Sequence, residues 1–442
     1  MRLLKLALVL ILALPLAAAD AKRPSKRPAK KTPAASAETV TPDVRRKLVR
    51  AAWSVASKIS PDPKKVETVF SPAFFKLVEQ EKVTAMFKSL REKHGAVKRV
   101  SLSATEGSNV AHFIFHTDRE YMLPASVTVD PASGLITGLF FRPAYQHVAG
   151  MADIKERLTA LPGTKSLLLT RLDGRDGPVE SLEPDEPLNI GSAFKLYVLA
   201  QLQESKAQWK KTVEIPSAAR SLPSGRLHAW PEGAPFTVYT LAAQMISESD
   251  NTATDALIDL AGRRNIERNL GKFGHYSPDR MKPFLKTSEY FRIKGSTAAA
   301  AGWTAARQDD RYDLLEKKVP ALPLSAAALP ASPFEISRIG WFASASDLCR
   351  VMDRFRRSGD PAVLDMLAIN PGLQIDKAAV PYAGYKGGSD KGVISMTWLL
   401  RTRASAWYCL SAAWNDEKSP LDDKEFIGIM QGALKLVEAD NF

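Results

Sequence analysis

The sequence predicts an α/β (α+β) protein of two units, a small helices-then-sheet domain over residues 41–150 and a larger helix-covered sheet over residues 151–442. Three observations carry this reading. A chain of 442 residues exceeds one typical domain. After Gly95 the apolar period changes from helical to alternating. Around residues 144–150 the character changes again, to a helix, one strand, many helices, and finally late strands with a terminal helix. That order is how both ends of a chain thread one sheet.

Met1 to Ala19 has the form of a secretory signal peptide: Arg2 and Lys5, the apolar run Leu6 to Leu16, then Ala17-Ala18-Ala19 as a small-residue cleavage site. The mature protein is expected to be exported, periplasmic or secreted. No cysteine follows the cleavage site and no other run is long enough to cross a bilayer, so neither a lipid anchor nor a transmembrane segment is expected. Residues 20–40, rich in Pro, Ala, Lys and Arg without apolar periodicity, read as a basic linker.

From Thr41 to about Glu92 the pattern is helical, with Val44, Leu48, Ala52 and Val55 on one face, then Phe74, Leu77 and Val78, then Met86, Phe87 and Leu90. Val97 to Ala104, Asn109 to His116, Tyr121 to Val129 and Leu135 to Phe141 then read as a meander, punctuated by Glu106-Gly107, Asp118-Arg119 and Asp130-Pro131. In the second unit a helix from Ala152 to Leu161 leads into a strand from Ser166 to Leu172. Helices follow through Leu202, from Val238 to Ser247 and from Ala253 to Ala261. Ser296 to Pro333, rich in Ala and Pro, reads as an insertion or long loop. The remainder reads as a helix from Ser346 to Phe355 and strands from Val393 to Leu400 and from Ala406 to Ala413. A last helix carries Phe426, Ile429, Met430, Ala433, Leu434 and Val437 on one face.

Charge and cysteine usage narrow the partners. Of the net charge of +13, +2 sits on Arg2 and Lys5 and +4 on residues 20–40, so +7 remains for residues 41–442. No basic stretch interleaved with aromatics occurs there, which argues against nucleic acid as a partner. Six scattered histidines and two cysteines give no metal-ligand spacing, and neither metal nor cofactor is expected. An oxidising compartment permits a disulfide between Cys349 and Cys409, while their apolar settings equally suit two separate buried thiols. The oligomeric state is left open.

Three short clusters bear chemistry. In Gly191-Ser192-Ala193-Phe194-Lys195 the serine and lysine lie one helical turn apart, so an amine can reach the hydroxyl, and a serine at a helix start offers its backbone N–H to a developing oxyanion. Alone, this pair arises by chance about once or twice in such a chain and reads as a cap followed by a solvated lysine. Ser249-Asp250-Asn251, 57 residues after Ser192, falls between two helical patterns, where Asp and Asn ordinarily cap the next helix. Lys386-Gly387-Gly388-Ser389 precedes a late strand, where glycines let a ligand approach the backbone edge.

Taken together and in this order, the three clusters resemble the signature of the penicillin-recognising Ser-x-x-Lys enzymes. Ser249-Asp-Asn-Thr-Ala253 is close to what class A β-lactamases carry there. The resemblance implies a β-lactamase/transpeptidase-like hydrolase fold for residues 151–442, with the site between a helical lobe and the sheet. The first unit resembles, in pattern only, the cone-shaped nuclear-transport-factor-2-like domains, and is expected to be a non-catalytic accessory. That pairing, with Ile190 to Leu199, Leu222-Pro-Ser-Gly-Arg-Leu227 and Trp341-Phe-Ala-Ser344, resembles the β-lactamase-like subgroup found in clavulanic-acid clusters.

The resemblance assigns roles by motif. Ser192 is the nucleophile, Lys195 its base, and Ser249 with Lys386 the relay to the leaving group. The N–H groups of Ser192 and Ser389 form the oxyanion hole, Asn251 orients the substrate amide, and Gly387 and Gly388 line the substrate. As a base near neutrality Lys195 must fall from about 10.4 to about 7–8, roughly 3–4 kcal/mol, and burial and the charge of Lys386 push that way. Two departures stand out. Gly387 replaces the hydroxyl residue that usually follows the lysine, although Ser389 offers partial compensation, and no Glu-x-x-Leu-Asn occurs between Asn251 and Lys386. Glu289 stands roughly where that loop begins, but reads better as a surface or capping carboxylate. The expected activity is hydrolysis of a β-lactam, ester or amide from a small-molecule or peptidoglycan-derived substrate. The alternative is a non-catalytic or D,D-peptidase-like protein that binds cell-wall or β-lactam ligands.

Overall fold

The structure, a computed structural model, describes residues 41–174 and 177–442. The signal peptide and basic linker read over residues 1–40 lie outside the described residues. The chain divides into two compact units, one ending at His147 and the other beginning at Val148.

The first unit opens with α1 (Pro42–Lys58), whose N-cap Thr41 accepts from the Val44 N–H and whose inner face buries Leu48, Ala52 and Val55. Next come α2 (Pro72–Phe75) and α3 (Gln80–His94). The strands β1 (Val97–Glu106), β2 (Val110–Thr117), β3 (Tyr121–Val129) and β4 (Ile136–Phe141) form an antiparallel meander in sequence order, and β5 (Tyr145–Gln146) pairs with β3. Along β2 buried Ala111, Phe113 and Phe115 alternate with half-exposed neighbours, and with Leu123 and Val127 they close on α1 and α3 as one core.

The second unit has a five-stranded antiparallel sheet in the order β12-β13-β14-β6-β7, made of β6 (Thr164–Arg171), β7 (Pro178–Leu182), β12 (Tyr382–Asp390), β13 (Val393–Arg401) and β14 (Trp407–Asn415). On one face lie α4 (Met151–Ala160) and α14 (Asp423–Ala439). Ile154, Leu158, Phe426 and Met430 meet Leu167, Leu169, Met396, Trp398 and Leu410 there. The other face meets the helical lobe: α5 (Lys195–Glu204), α6 (Val238–Ser247), α7 (Asn251–Ala261), α8 (Arg263–Asn269), α9 (Thr287–Lys294), α10 (Thr297–Ala305), α11 (Gln308–Lys317), α12 (Ala345–Ser358) and α13 (Pro361–Ala368). With both faces covered, every residue of β13 from Val393 to Leu400 is buried, Ser395 and Thr397 included. Two short ribbons, β8 (Leu188–Asn189) with β11 (Phe342–Ala343) and β9 (Thr212–Glu214) with β10 (Pro235–Thr237), complete the unit.

Two expectations change. The Ala- and Pro-rich stretch from Ser296 to Pro333 is no long loop, because it contains α10 and α11, the former capped by the Ser296 hydroxyl accepting from the Ala299 N–H. Cys349 and Cys409 are one disulfide joining α12 to β14, not two separate thiols. The chemical settings of the two cysteines are alike in either case, and only the fold brings α12 across β14. Among the described residues, no helix is long and apolar enough to cross a membrane.

Candidate active site

Ser192 lies in a short 3₁₀ turn, Gly191 to Phe194, that runs into α5. The turn is clamped from three sides. Phe194 stacks on Trp341 with ring centroids 3.9 Å apart, and Trp341 donates from Nε1 to the Leu285 carbonyl. The Ser395 hydroxyl on β13 donates to the Ile190 carbonyl at 2.7 Å. Beneath the turn runs the edge strand β12. Gly191 has φ +47°, and a Cβ there would lie 2.8 Å from the Ser389 nitrogen. A Cβ on Gly388 would lie 2.2 Å from the Ile190 carbonyl oxygen and 2.3 Å from the Ser192 nitrogen. Both glycines are therefore required, and they bring the backbones carrying the Ser192 and Ser389 N–H groups side by side.

Lys195, the first residue of α5, is 0% exposed. Its Nζ donates to the Ser249 carbonyl at 2.5 Å, to Ser249 Oγ at 3.0 Å and to Asn251 Oδ1 at 2.7 Å. Desolvation, aided by the charge of Lys386, holds the amine well below the usual lysine range, and the carboxylates of Asp255 and Asp250 oppose this. Lys386 Nζ donates to the same Ser249 Oγ at 3.0 Å and to the Gly387 carbonyl at 2.5 Å, and burial pushes it down to about 7. Two amines thus converge on one hydroxyl. Ser249 holds it between them from a left-handed backbone with φ +55°, an uncommon conformation for a residue with a side chain.

Asp250 explains how that backbone is kept. It is fully buried and caps α7, accepting from Ala253 N–H at 2.8 Å. Its second oxygen accepts from the N–H groups of Arg226 at 2.7 Å and Leu227 at 2.8 Å. The loop Leu222 to Leu227 is thereby folded over the cluster, and its Ser224 hydroxyl donates to the Ser249 carbonyl at 2.8 Å. Asn251 spends Oδ1 on Lys195 and one amide hydrogen on the Leu222 carbonyl at 3.0 Å, leaving one amide hydrogen for the cavity it lines.

Ser192, Ser249, Asn251, Lys386, Gly387, Gly388 and Ser389 line one cavity of about 600 Å³, with Lys195 buried behind Ser249. The Ser192 hydroxyl is half-exposed and makes no hydrogen bond among the described residues. Glu289 does not line this cavity. Its carboxylate accepts from the Lys286 N–H at 2.8 Å and pairs with Arg263, a capping role. The carboxylates that do line it are Glu248 and Asp390, the latter held by Lys294 at 2.8 Å and by the Tyr290 hydroxyl. Among the described residues no group of three or more His, Cys, Asp or Glu side chains is placed to hold a metal.

Sequence reasoning missed Asp255, Thr287 and Tyr385. Asp255 accepts from Thr287 N–H at 2.7 Å, Thr287 Oγ at 2.8 Å and Ser288 N–H at 2.9 Å, joining α7 to α9 below Asn251. Its place four residues after Asn251, on the same face of a helix, was the available signal.

Residues 151–307 match the Beta-lactamase enzyme family. Among solved structures, a β-lactamase from Sphaerobacter thermophilus DSM 20745 is 18% identical, covering 66% of this chain and 97% of that one, with a TM-score of 0.45. A β-lactamase from Francisella tularensis is 13% identical, covering 65% and 97%, with a TM-score of 0.46. A variant of PBP-A, captured as an acyl-enzyme complex with penicillin G, is 14% identical, covering 65% and 95%, with a TM-score of 0.46. The sequence has no match among the curated proteins. Over residues 151–307 the second unit is thus similar to the Beta-lactamase enzyme family.

Proposed function

We propose that the protein is an exported serine hydrolase that works through an acyl-enzyme on Ser192. Ser192 Oγ attacks a substrate carbonyl and forms an ester bond while its proton passes to neutral Lys195. The bond to the leaving group breaks, and the proton reaches that group through Ser249, with Lys386 beside it. The Ser192 and Ser389 N–H groups receive the developing oxyanion, each donor worth roughly 2.7–4 kcal/mol, and the remaining amide hydrogen of Asn251 meets the substrate. Water then attacks the ester carbonyl as its proton passes to Lys195; the bond to Ser192 Oγ breaks, the acid leaves, and Lys195 returns that proton to Ser192.

The observation that supports this best is the Ser249 hydroxyl held at 3.0 Å by both Lys195 and Lys386, two amines that burial moves toward neutrality. Desolvation in an enclosed site is the ordinary way to make lysine a base near pH 7. Export is supported by the charged and apolar pattern of residues 1–19 and by the Cys349–Cys409 disulfide. We carry the first unit as a cone-like, non-catalytic accessory.

Intact-protein mass spectrometry tests the nucleophile. The chain is mixed with a penicillin and, separately, an activated ester, beside Ser192→Ala. An adduct confined to the wild-type protein is expected, and its lifetime separates a hydrolase from a D,D-peptidase-like trap. A Ser192→Ala protein that turned over the same panel at the wild-type rate would end the assignment. A second reading, a binding protein for cell-wall or β-lactam ligands, is favoured by Gly387 and by Glu289 lying outside the cavity. It predicts thermal stabilisation by ligand without any gain in mass.

A further inference from the structure

Gly387 is a glycine because a tyrosine occupies its side-chain space. A Cβ at Gly387 would lie 2.1 Å from the hydroxyl oxygen of Tyr385, two residues earlier on β12. The tyrosine ring is fixed on both sides. Trp398 packs against it with centroids 4.9 Å apart, and at Gly372 a Cβ would fall 2.5 Å from the ring. The hydroxyl so positioned makes no hydrogen bond among the described residues, and Tyr385 lines the cavity that holds Ser192. Burial holds the phenol above its ordinary range, so it stays a neutral donor.

Apolar side chains line part of the same cavity. Ile394, Met396 (the register partner of Gly387 on β13) and Ile427 line the same cavity at the β12 edge. The lysine at this edge, Lys386, already donates to Ser249 Oγ and the Gly387 carbonyl. The acidic side chains lining the cavity are Glu248 and Asp390. Lys386 is the only Lys or Arg among the described residues lining the cavity, and burial pushes it down to about 7, so a ligand carboxylate entering here at neutral pH would lose its water for an amine that is charged only in part. A neutral oxygen meets a waiting donor instead.

Resting on the Ser192 acyl-enzyme reading, we propose that the leaving-group side of this site is built for an uncharged group. The group it fits is an ester, thioester or amide portion with an acceptor oxygen for Tyr385 and apolar carbon for Ile394, Met396 and Ile427. It is not built for the free carboxylate that a penicillin or a D-alanyl peptide presents. Tyr385 is then the specificity-determining residue, with its hydroxyl standing where the Gly387 side chain would begin.

The test uses two thioesters that differ in one group, phenylacetyl-thioglycolic acid and its methyl ester. Calorimetry on the full-length Ser192→Ala protein gives their affinities, and mass spectrometry on the wild type gives their acylation rates. The methyl ester is expected to bind at least about tenfold more tightly and to acylate at least about tenfold faster. Tyr385→Phe, checked for an unchanged melting temperature, is expected to weaken methyl-ester binding about three- to tenfold and to leave the acid unaffected. Equal or tighter binding of the acid, binding of neither, or no effect of Tyr385→Phe on the methyl ester overturns the proposal. Selective binding to Ser192→Ala without a wild-type adduct would sink the nucleophile and keep the subsite. Equal acylation by both thioesters, with equal affinities, would keep the nucleophile and sink the subsite.

Discussion

At Gly388 a single hydrogen atom separates two elements that must both be in place. A methyl group there would meet the Ile190 carbonyl at 2.2 Å and the Ser192 and Ala193 nitrogens at 2.3 and 2.7 Å, all backbone atoms that cannot swing aside. Gly388→Ala should therefore force β12 away from the Ser192 turn. A stability loss of about 1–3 kcal/mol is expected by urea titration. The acylation rate should fall on the order of a hundredfold, since a shift of about 1 Å at an oriented site costs that much. Wild-type kinetics in this variant would mean that the two N–H groups do not act as a pair. Residue types and spacing made Ser192, Lys195, Ser249 and Lys386 legible as a set. The tie from Lys195 Nζ to Asn251 Oδ1, and the tyrosine over Gly387, were not legible, because both depend on how side chains fold back across a strand or helix.

Among elements, the join between α7 and α9 fixes the floor of the cavity. Asp255, fully buried, accepts two N–H groups and a hydroxyl from Thr287 and Ser288, and burial pushes its carboxyl up to about 6. A folded-state value above the unfolded one of about 3.9 means that the folded protein binds the extra proton. The stability from this group is thus complete below about pH 4 and is lost as pH rises through about 6. Asp255→Asn should flatten that part of the stability profile and cost about 1–3 kcal/mol at pH 7, where an amide cannot accept all three bonds. Denaturant titrations between pH 4 and 7 would show it, and an unchanged slope would exclude Asp255 as its source. At this scale the four strands of the first unit were legible from period alone, within a few residues of β1 to β4. The helices α10 and α11 were not. An alanine-rich segment lacks the apolar stripe that marks an amphipathic helix, although alanine favours helix and Ser296 was an available cap.

For the second unit as a whole, two buried lysines set the stability profile above neutrality. Lys195 and Lys386 are both held below the unfolded value of about 10.4, the latter at about 7, so the unfolded chain binds more protons across that window. Through Lys386 stability should rise with pH from about 7 toward 10, by up to about 1.4 kcal/mol per pH unit, and Lys195 acts in the same direction. Lys386→Met should remove one share of that rise, measured as unfolding free energy at pH 7 and pH 9. A slope identical to the wild type would show that Lys386 stays charged in the folded protein. The sheet order has a consequence for how the chain is made. β6 is an early strand of this unit, yet it pairs on one side with β14, its last, and β14 is also where Cys409 meets Cys349. During synthesis β6 and β7 must therefore wait with one edge unpaired until nearly all of the unit has emerged, and contacts so distant in sequence form slowly. Cys409 lies on that same late strand, so the disulfide with Cys349 also waits for the last part of the sheet to be made.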